Sequence, residues 1–198
     1  MHSAGADPLP AEYRNHLAVT VELNGEIWMV DAGLGDAHHE PMPLRAGEHR
    51  QSPFTFGLAP LPRTPGGWRF KHDPALNHSR SEMDFTLARV HWTAFAAKHA
   101  ELSTDPGSPF VQICQLHRRD ERGADGLVGC VLHRVEGGGR RTERELSTAA
   151  DWFAAAADVF DVRLDDLSAD DRDHLWRRVQ TAHQQWLMER EAQHSGSG

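Results

Sequence analysis

Apolar and polar positions alternate with a period of two near the start of the chain. Leu17-Ala18-Val19-Thr20-Val21-Glu22-Leu23 and Ile27-Trp28-Met29-Val30 are apolar-rich runs flanking Asn24-Gly25. That dipeptide marks a β-hairpin, because a type I′ turn needs positive φ at both central residues. With Asn24 and Gly25 as the loop, Leu23 pairs with Glu26, Ala18 lies opposite Asp31 and His16 lies opposite Gly33. Side chains alternate between the faces of a strand, so His16, Ala18, Thr20, Met29 and Asp31 share one face, with Asp31 diagonal to His16. The other face, with Leu17, Val19, Val21, Trp28 and Val30, is expected to be the core face.

The pattern continues β-rich and then turns helical. A new segment starts at Pro41 to Leu44. Phe54 to Leu58 and Trp68 to His72 are candidate strands, separated by the turn signal Pro65-Gly66-Gly67. Leu87 to Leu102 has Ala-rich helical character and stops at Ser103-Thr104-Asp105-Pro106. Phe110 to His117 and Leu127 to Val135 read as strands divided by a charged loop, Arg118 to Gly126. Gly137-Gly138-Gly139 makes a turn, and Arg141 to Leu146 is another strand candidate. Two helices close the chain. One runs from about Thr148 to Phe160. The other starts near Ser168, a good N-cap, with Leu175, Val179, Ala182 and Trp186 on one stripe.

The hairpin thus places an aspartate beside a histidine on a rigid scaffold. Such a pair is two-thirds of a nucleophilic triad: the carboxylate fixes the tautomer and stabilises the imidazolium, and the imidazole deprotonates a nucleophile. The same pair also serves simply to satisfy a buried histidine, and spacing alone leaves both readings open. Gly33-Leu34-Gly35 is either a plain turn or backbone left uncovered for a ligand. Cys114 and Cys130 sit in apolar runs and read as core cysteines. His38-His39-Glu40 invites a metal reading, but there is no HExxH spacing and no cysteine cluster, so no metal site is expected. Trp176 and Trp186, at helical spacing, are expected to be packing residues. No Gly-x-Ser-x-Gly elbow supports serine hydrolysis.

Composition narrows the class. The chain has 198 residues, 39% of them hydrophobic and 25% charged, with a net charge of −8. That charge disfavours non-specific binding to nucleic acid or to anionic membranes. Two cysteines make no disulfide framework, which suits a reducing cytoplasm. Residues 1–15 carry no apolar core of a signal peptide, no run is long enough to span a membrane, and Ser195 to Gly198 reads as a flexible end.

His16 to Val21, Val30-Asp31-Ala32-Gly33-Leu34-Gly35 and Pro41-Met42-Pro43-Leu44 together resemble the arylamine N-acetyltransferase family, whose triad is Cys–His–Asp. Ser103-Thr104-Asp105-Pro106-Gly107-Ser108-Pro109-Phe110-Val111 is similar to a family loop. Phe160-Asp161-Val162-Arg163-Leu164 stands where the family has Phe-Gly-Ile-x-Leu. The resemblance implies an α+β fold, with a β-barrel over residues 1–120 and an α/β lid over 121–198, as in cysteine-proteinase-like N-acetyltransferases but without their N-terminal helical bundle. It implies acetyl transfer from acetyl-CoA to a small-molecule amine through a cysteine thioester. His16 would be the base and Asp31 its orienting carboxylate. Gly33, Gly35, Ser103, Thr104 and Ser108 would lie at the coenzyme, and Leu34 at the acceptor.

Two departures qualify this. The family's nucleophile lies upstream, in an Arg-Gly-Gly-x-Cys motif of the helical subdomain, and neither cysteine here matches it. The chain alone is therefore expected to be inactive and to expose an apolar surface that favours self-association or a partner subunit. Leu34 replaces the usual Phe, which opens the acceptor to amines other than arylamines, as in relatives that close macrolactams. A non-catalytic relative that binds CoA or a partner protein is the remaining alternative.

Overall fold

A computed structural model describes residues 16–76 and 82–195, with side chains described up to residue 189. The expectations for residues 1–15 and for the last three residues fall outside this range. The β elements form three antiparallel sheets. β1 (Val19–Leu23), β2 (Glu26–Val30) and the short β3 (Met42–Pro43) make the first. β4 (Gly47–Gln51), β5 (Phe54–Pro60), β6 (Gly67–Lys71) and β7 (Glu82–Thr86) make the second, in sequential order. β8 (Gln115–Arg119), β9 (Gly123–Val128), β10 (Val131–Glu136) and β11 (Arg141–Glu145) make the third. The α+β class stands. The expected barrel takes the form of separate sheets, none of which closes on itself among the described residues.

The hairpin has the expected register, Val19 opposite Val30 through Leu23 opposite Glu26. Asn24 and Gly25 take φ values of 54° and 78°, as the two-residue turn demands. The choice of core face is reversed. Met29, on the His16 face, is wholly buried and packs with Met42, Phe54, Phe56 and Phe70 in the first core cluster. On the other face Leu17, Val19 and Val21 remain nearly half exposed. The exposed face is the more apolar of the two by sequence, so alternation separates the faces without deciding which one finds a partner.

Helix α1 (Ala96–Thr104) follows a single 3-10 turn, and α2 (Pro109–Gln112) occupies the start of the segment expected to be a strand from Phe110. The reason is local. Ser108 caps the Phe110 N–H, and Pro109 sits at the first helical position, where its missing N–H costs nothing. The expected charged loop from Arg118 to Gly126 shrinks to a tight turn at Asp120, because Arg134 binds both carboxylate oxygens of Asp120 across the sheet.

α3 (Ala149–Phe160) begins where Thr148 Oγ1 accepts from the Asp151 N–H, and α4 (Ala169–Ser195) where Ser168 Oγ accepts from Asp171 N–H. Asp161 closes α3 with φ 57°, at the position where the resembled motif has glycine. These helices cover one face of the third sheet. Trp152, Leu127, Leu146, Cys130 and Val179 form a second core cluster there, with Trp176 packed at its edge. The opposite face of that sheet bears His117, Gly126, His133 and Glu143 in one row. No described helix is long and apolar enough to cross a membrane.

Candidate active site

The hairpin and the turn after β2 build the site. His16 Nε2 lies 2.6 Å from Asp31 Oδ2, and the Gly33 N–H donates to Asp31 Oδ1 at 2.9 Å. Each carboxylate oxygen therefore has a donor. The Asp31 side chain is only 3% exposed and that of His16 19%. Satisfying Asp31 in this way requires Nε2 of His16 to carry the proton, an assignment from the hydrogen-bond network. Nδ1 is then the ring nitrogen that accepts a proton, and it lies on the side of the ring away from the carboxylate. Gly33 is glycine for a steric reason: a Cβ there would stand 2.9 Å from His16 Cε1. Gly35 is equally constrained, because its Cβ would meet the His117 backbone oxygen at 2.9 Å. The turn packs the His16–Asp31 pair on one side and β8 on the other.

A cavity of about 280 Å³ opens beside this turn, lined by Asp31, Leu34, Gly35, His38, His117 and Arg118 among others. His38 is 4% exposed, and neither ring nitrogen has a hydrogen-bond partner. Its ring tilts against Phe70 at 5.6 Å. Burial pushes its pKa down, with the nearby Asp31 charge opposing that shift. With no hydrogen bond of its own, His38 leaves both Asp31 oxygens to His16 and Gly33. Among the described residues no three His, Cys, Asp or Glu side chains converge in a metal-binding group.

Three other candidates point back into their own segment. Ser103 Oγ donates to the His99 and Ala100 carbonyls, Thr104 Oγ1 to Ala100 and Ser108 Oγ to Leu102. These hydroxyls finish α1 and start α2, and they do not line the cavity beside Asp31. The two thiols lie in or against the second core cluster, separate from His16. Burial raises the pKa of Cys114, and burial with the Glu145 charge pushes Cys130 up to about 11. A nucleophilic cysteine needs the opposite shift.

His117 and His133 belong to the site's surroundings and escaped the sequence reading. Their rings stand 6.5 Å apart, and His133 lies so flat over Gly126 that a Cβ there would come within 2.3 Å of it. Burial lowers the pKa of His133 to about 4, with Arg141 and His117 adding to the effect. Strand register gives this placement: His117 and His133 both pair with Gly126, from opposite sides.

A buried carboxylate holds an imidazole in one orientation beside a glycine-containing turn, an arrangement able to orient a general base. The sequence model of the N-acetyltransferase family matches residues 4–169. The chain belongs to that family. Its fold is that of the arylamine N-acetyltransferase from Mycobacterium abscessus, with a TM-score of 0.69 and 24% identity over 83% of this chain and 59% of that one. It is also similar to the Mycobacterium marinum arylamine N-acetyltransferase in complex with CoA, with a TM-score of 0.71 and 19% identity over 85% of this chain and 61% of that one. The Salmonella typhimurium arylamine N-acetyltransferase matches with a TM-score of 0.69 and 16% identity over 85% and 61%. The chain thus spans about three fifths of the length of these structures. Comparison with curated protein sequences gives no match.

Proposed function

We propose that this chain supplies the base and the orienting carboxylate of an arylamine N-acetyltransferase-type acyltransferase working by a ping-pong route. The observation that carries this is the 2.6 Å contact between His16 Nε2 and Asp31 Oδ2, beside a turn whose Gly33 lets the His16 ring pack close. In the first half-reaction His16 takes the thiol proton at Nδ1. The thiolate attacks the acetyl carbonyl of acetyl-CoA, and CoA leaves as its thiol after receiving a proton from the imidazolium. In the second half-reaction His16 takes a proton from the amine as it attacks the enzyme thioester, and the amide and the free cysteine result. Asp31 holds the ring in one tautomer and offsets the imidazolium charge in both halves.

The donor assignment draws on the CoA complex of the M. marinum relative. We place the acyl and coenzyme groups against the backbone of Gly33 and Gly35, with Ser103, Thr104 and Ser108 further along the coenzyme and Leu34 at the acceptor. Leu34 in place of an aromatic ring supports a second reading for the acceptor, an amide synthase acting on a non-aromatic amine. The nucleophilic thiol comes from a segment outside this sequence or from a partner polypeptide, since burial holds both thiols here in the protonated form. The half-exposed face of Leu17, Val19 and Val21 is the surface we assign to that segment, and to self-association when the segment is absent. The two core clusters support a division near residue 120, although Ala124 and Val135 of the third sheet join the first cluster. Two cysteines outside any disulfide favour the cytoplasm.

The test is complementation. The chain alone, given acetyl-CoA and aniline, is expected to make no acetanilide. Joined to a helical segment carrying the family's Arg-Gly-Gly-x-Cys motif, it is expected to make acetanilide at a rate proportional to enzyme. Transfer by the chain alone that is lost in Cys114→Ser or Cys130→Ser would overturn the external-thiol assignment. No transfer by a folded, completed protein with aniline or with aliphatic amines would overturn the acyltransferase reading.

A further inference from the structure

The face of the third sheet that carries His117 and His133 continues past the catalytic turn toward α4. Strand register puts Val128, Val131 and Glu145 on this same face, next to Gly126, His133 and Glu143. A cavity of about 470 Å³ lies there, with Ile113, Val128, Val131 and Trp186 as apolar walls and His183 and Glu145 as a polar end. A smaller cavity of about 220 Å³ shares Val128, His133 and Arg141 with it and reaches Asp36 and His117. The His117 backbone is in turn the neighbour of Gly35. The two cavities therefore make one trough leading away from the catalytic turn.

The far end of the trough contains an unmet hydrogen-bonding group. His183 is 7% exposed, and its Nε2 is buried without a hydrogen-bond partner. The Glu145 carboxylate stands 3.6 Å away, beyond hydrogen-bond reach. The His183 ring stacks on Trp186 at 5.7 Å, which fixes its orientation. The charges are also unbalanced. Glu143 is paired with Arg141 at 2.6 Å, whereas no Lys or Arg among the described residues pairs with Glu145. The unpartnered His183 Nε2 and the Glu145 carboxylate, which no described Lys or Arg pairs with, stand side by side and suit a donor that brings positive charge. A primary ammonium seated between them would donate one hydrogen to His183 Nε2 and another to Glu145 Oε1. The walls leading up to that pair suit a flat or aliphatic body, and a polyanion such as CoA is repelled by Glu145.

We propose that this trough is the acceptor subsite, and that the protein prefers an amine whose apolar body carries a second, cationic nitrogen held by His183 and Glu145. The assignment as acceptor rests on the acyltransferase reading above, but ligand binding does not depend on the external thiol.

The probes are 4-(2-aminoethyl)aniline and its uncharged analogue 4-propylaniline, titrated into the chain at pH 7 and followed by calorimetry. The diamine is expected to bind about tenfold more tightly than the neutral analogue. Glu145→Gln, an isosteric change at an exposed position, is expected to bring the two affinities within about twofold, and His183→Phe to weaken the diamine alone. Equal binding of the two probes by the unaltered chain would overturn the subsite, as would a preference that survives Glu145→Gln. The two readings fail separately. Diamine preference without acetyl transfer in the completed protein contradicts the acyltransferase and leaves the binding site. Acetyl transfer without diamine preference contradicts the subsite and leaves the acyltransferase.

Discussion

His16→Ala is expected to lower kcat for acetyl transfer by the thiol-completed protein about 10³-fold or more, with little change in the KM for acetyl-CoA. In the proposed reaction the imidazole takes the thiol proton, and its removal returns the thiol to its ordinary, mostly protonated state. Asp31→Asn is expected to cost a similar factor, for a different reason. The carboxylate is 3% exposed and receives Nε2–H of His16 on one oxygen and the Gly33 N–H on the other. An amide of the same shape keeps the packing but can turn its NH₂ toward the ring. That turn would force the wrong tautomer and remove the charge that offsets the imidazolium. Steady-state kinetics of both variants, with circular dichroism to show that they fold, checks this. A loss below tenfold in either would mean that the pair is structural.

Trp152→Ala is expected to destabilise the protein by about 3–5 kcal/mol, a large fraction of a typical domain's total. Trp152 is 1% exposed at the centre of the second core cluster, edge-on to Phe153. Its Nε1–H donates to the Gly129 carbonyl at 2.9 Å and so ties α3 to the turn between β9 and β10. Truncation removes the packing and leaves a buried carbonyl without its donor. Trp152→Phe retains much of the volume, so its smaller cost, about 1–3 kcal/mol, combines the lost hydrogen bond with a small cavity. Urea denaturation of the three proteins measures both effects. A loss under about 1 kcal/mol for Trp152→Ala would contradict the placement of this side chain.

The contact between His16 and Asp31 was legible in the sequence because everything that sets it is local. Asn24-Gly25 fixes the turn, the turn fixes the register, and the register brings residues 16 and 31 together. The caps of the last two helices were legible for the same reason: Thr148 and Ser168 each bond a backbone N–H three residues on. What escaped depends on distant partners. β4, Gly47-Glu48-His49-Arg50-Gln51, has no apolar residue to announce a strand, and β7, Glu82-Met83-Asp84-Phe85-Thr86, alternates but over only five residues. They form because β5 and β6 offer them edges. The hairpin's buried face depends on which side meets Phe54, Phe56 and Phe70. The start of α2 was a local signal overlooked, since the Ser108-Pro109 cap was present in the sequence. The buried His38 beside Asp31, and His183 beside Glu145, exist only once separate segments pack. No spacing rule along one strand or helix could have paired them.

The central claim is that Asp31 holds His16 with the proton on Nε2. Nitrogen-15 NMR of the histidine rings at pH 7, with His16 assigned by comparison with His16→Ala, tests it without any added segment. The expected result is an Nε2-protonated His16 with a slowly exchanging proton, changed by Asp31→Asn to a ring that averages between tautomers. An Nδ1-protonated His16, or a spectrum unmoved by Asp31→Asn, would contradict it.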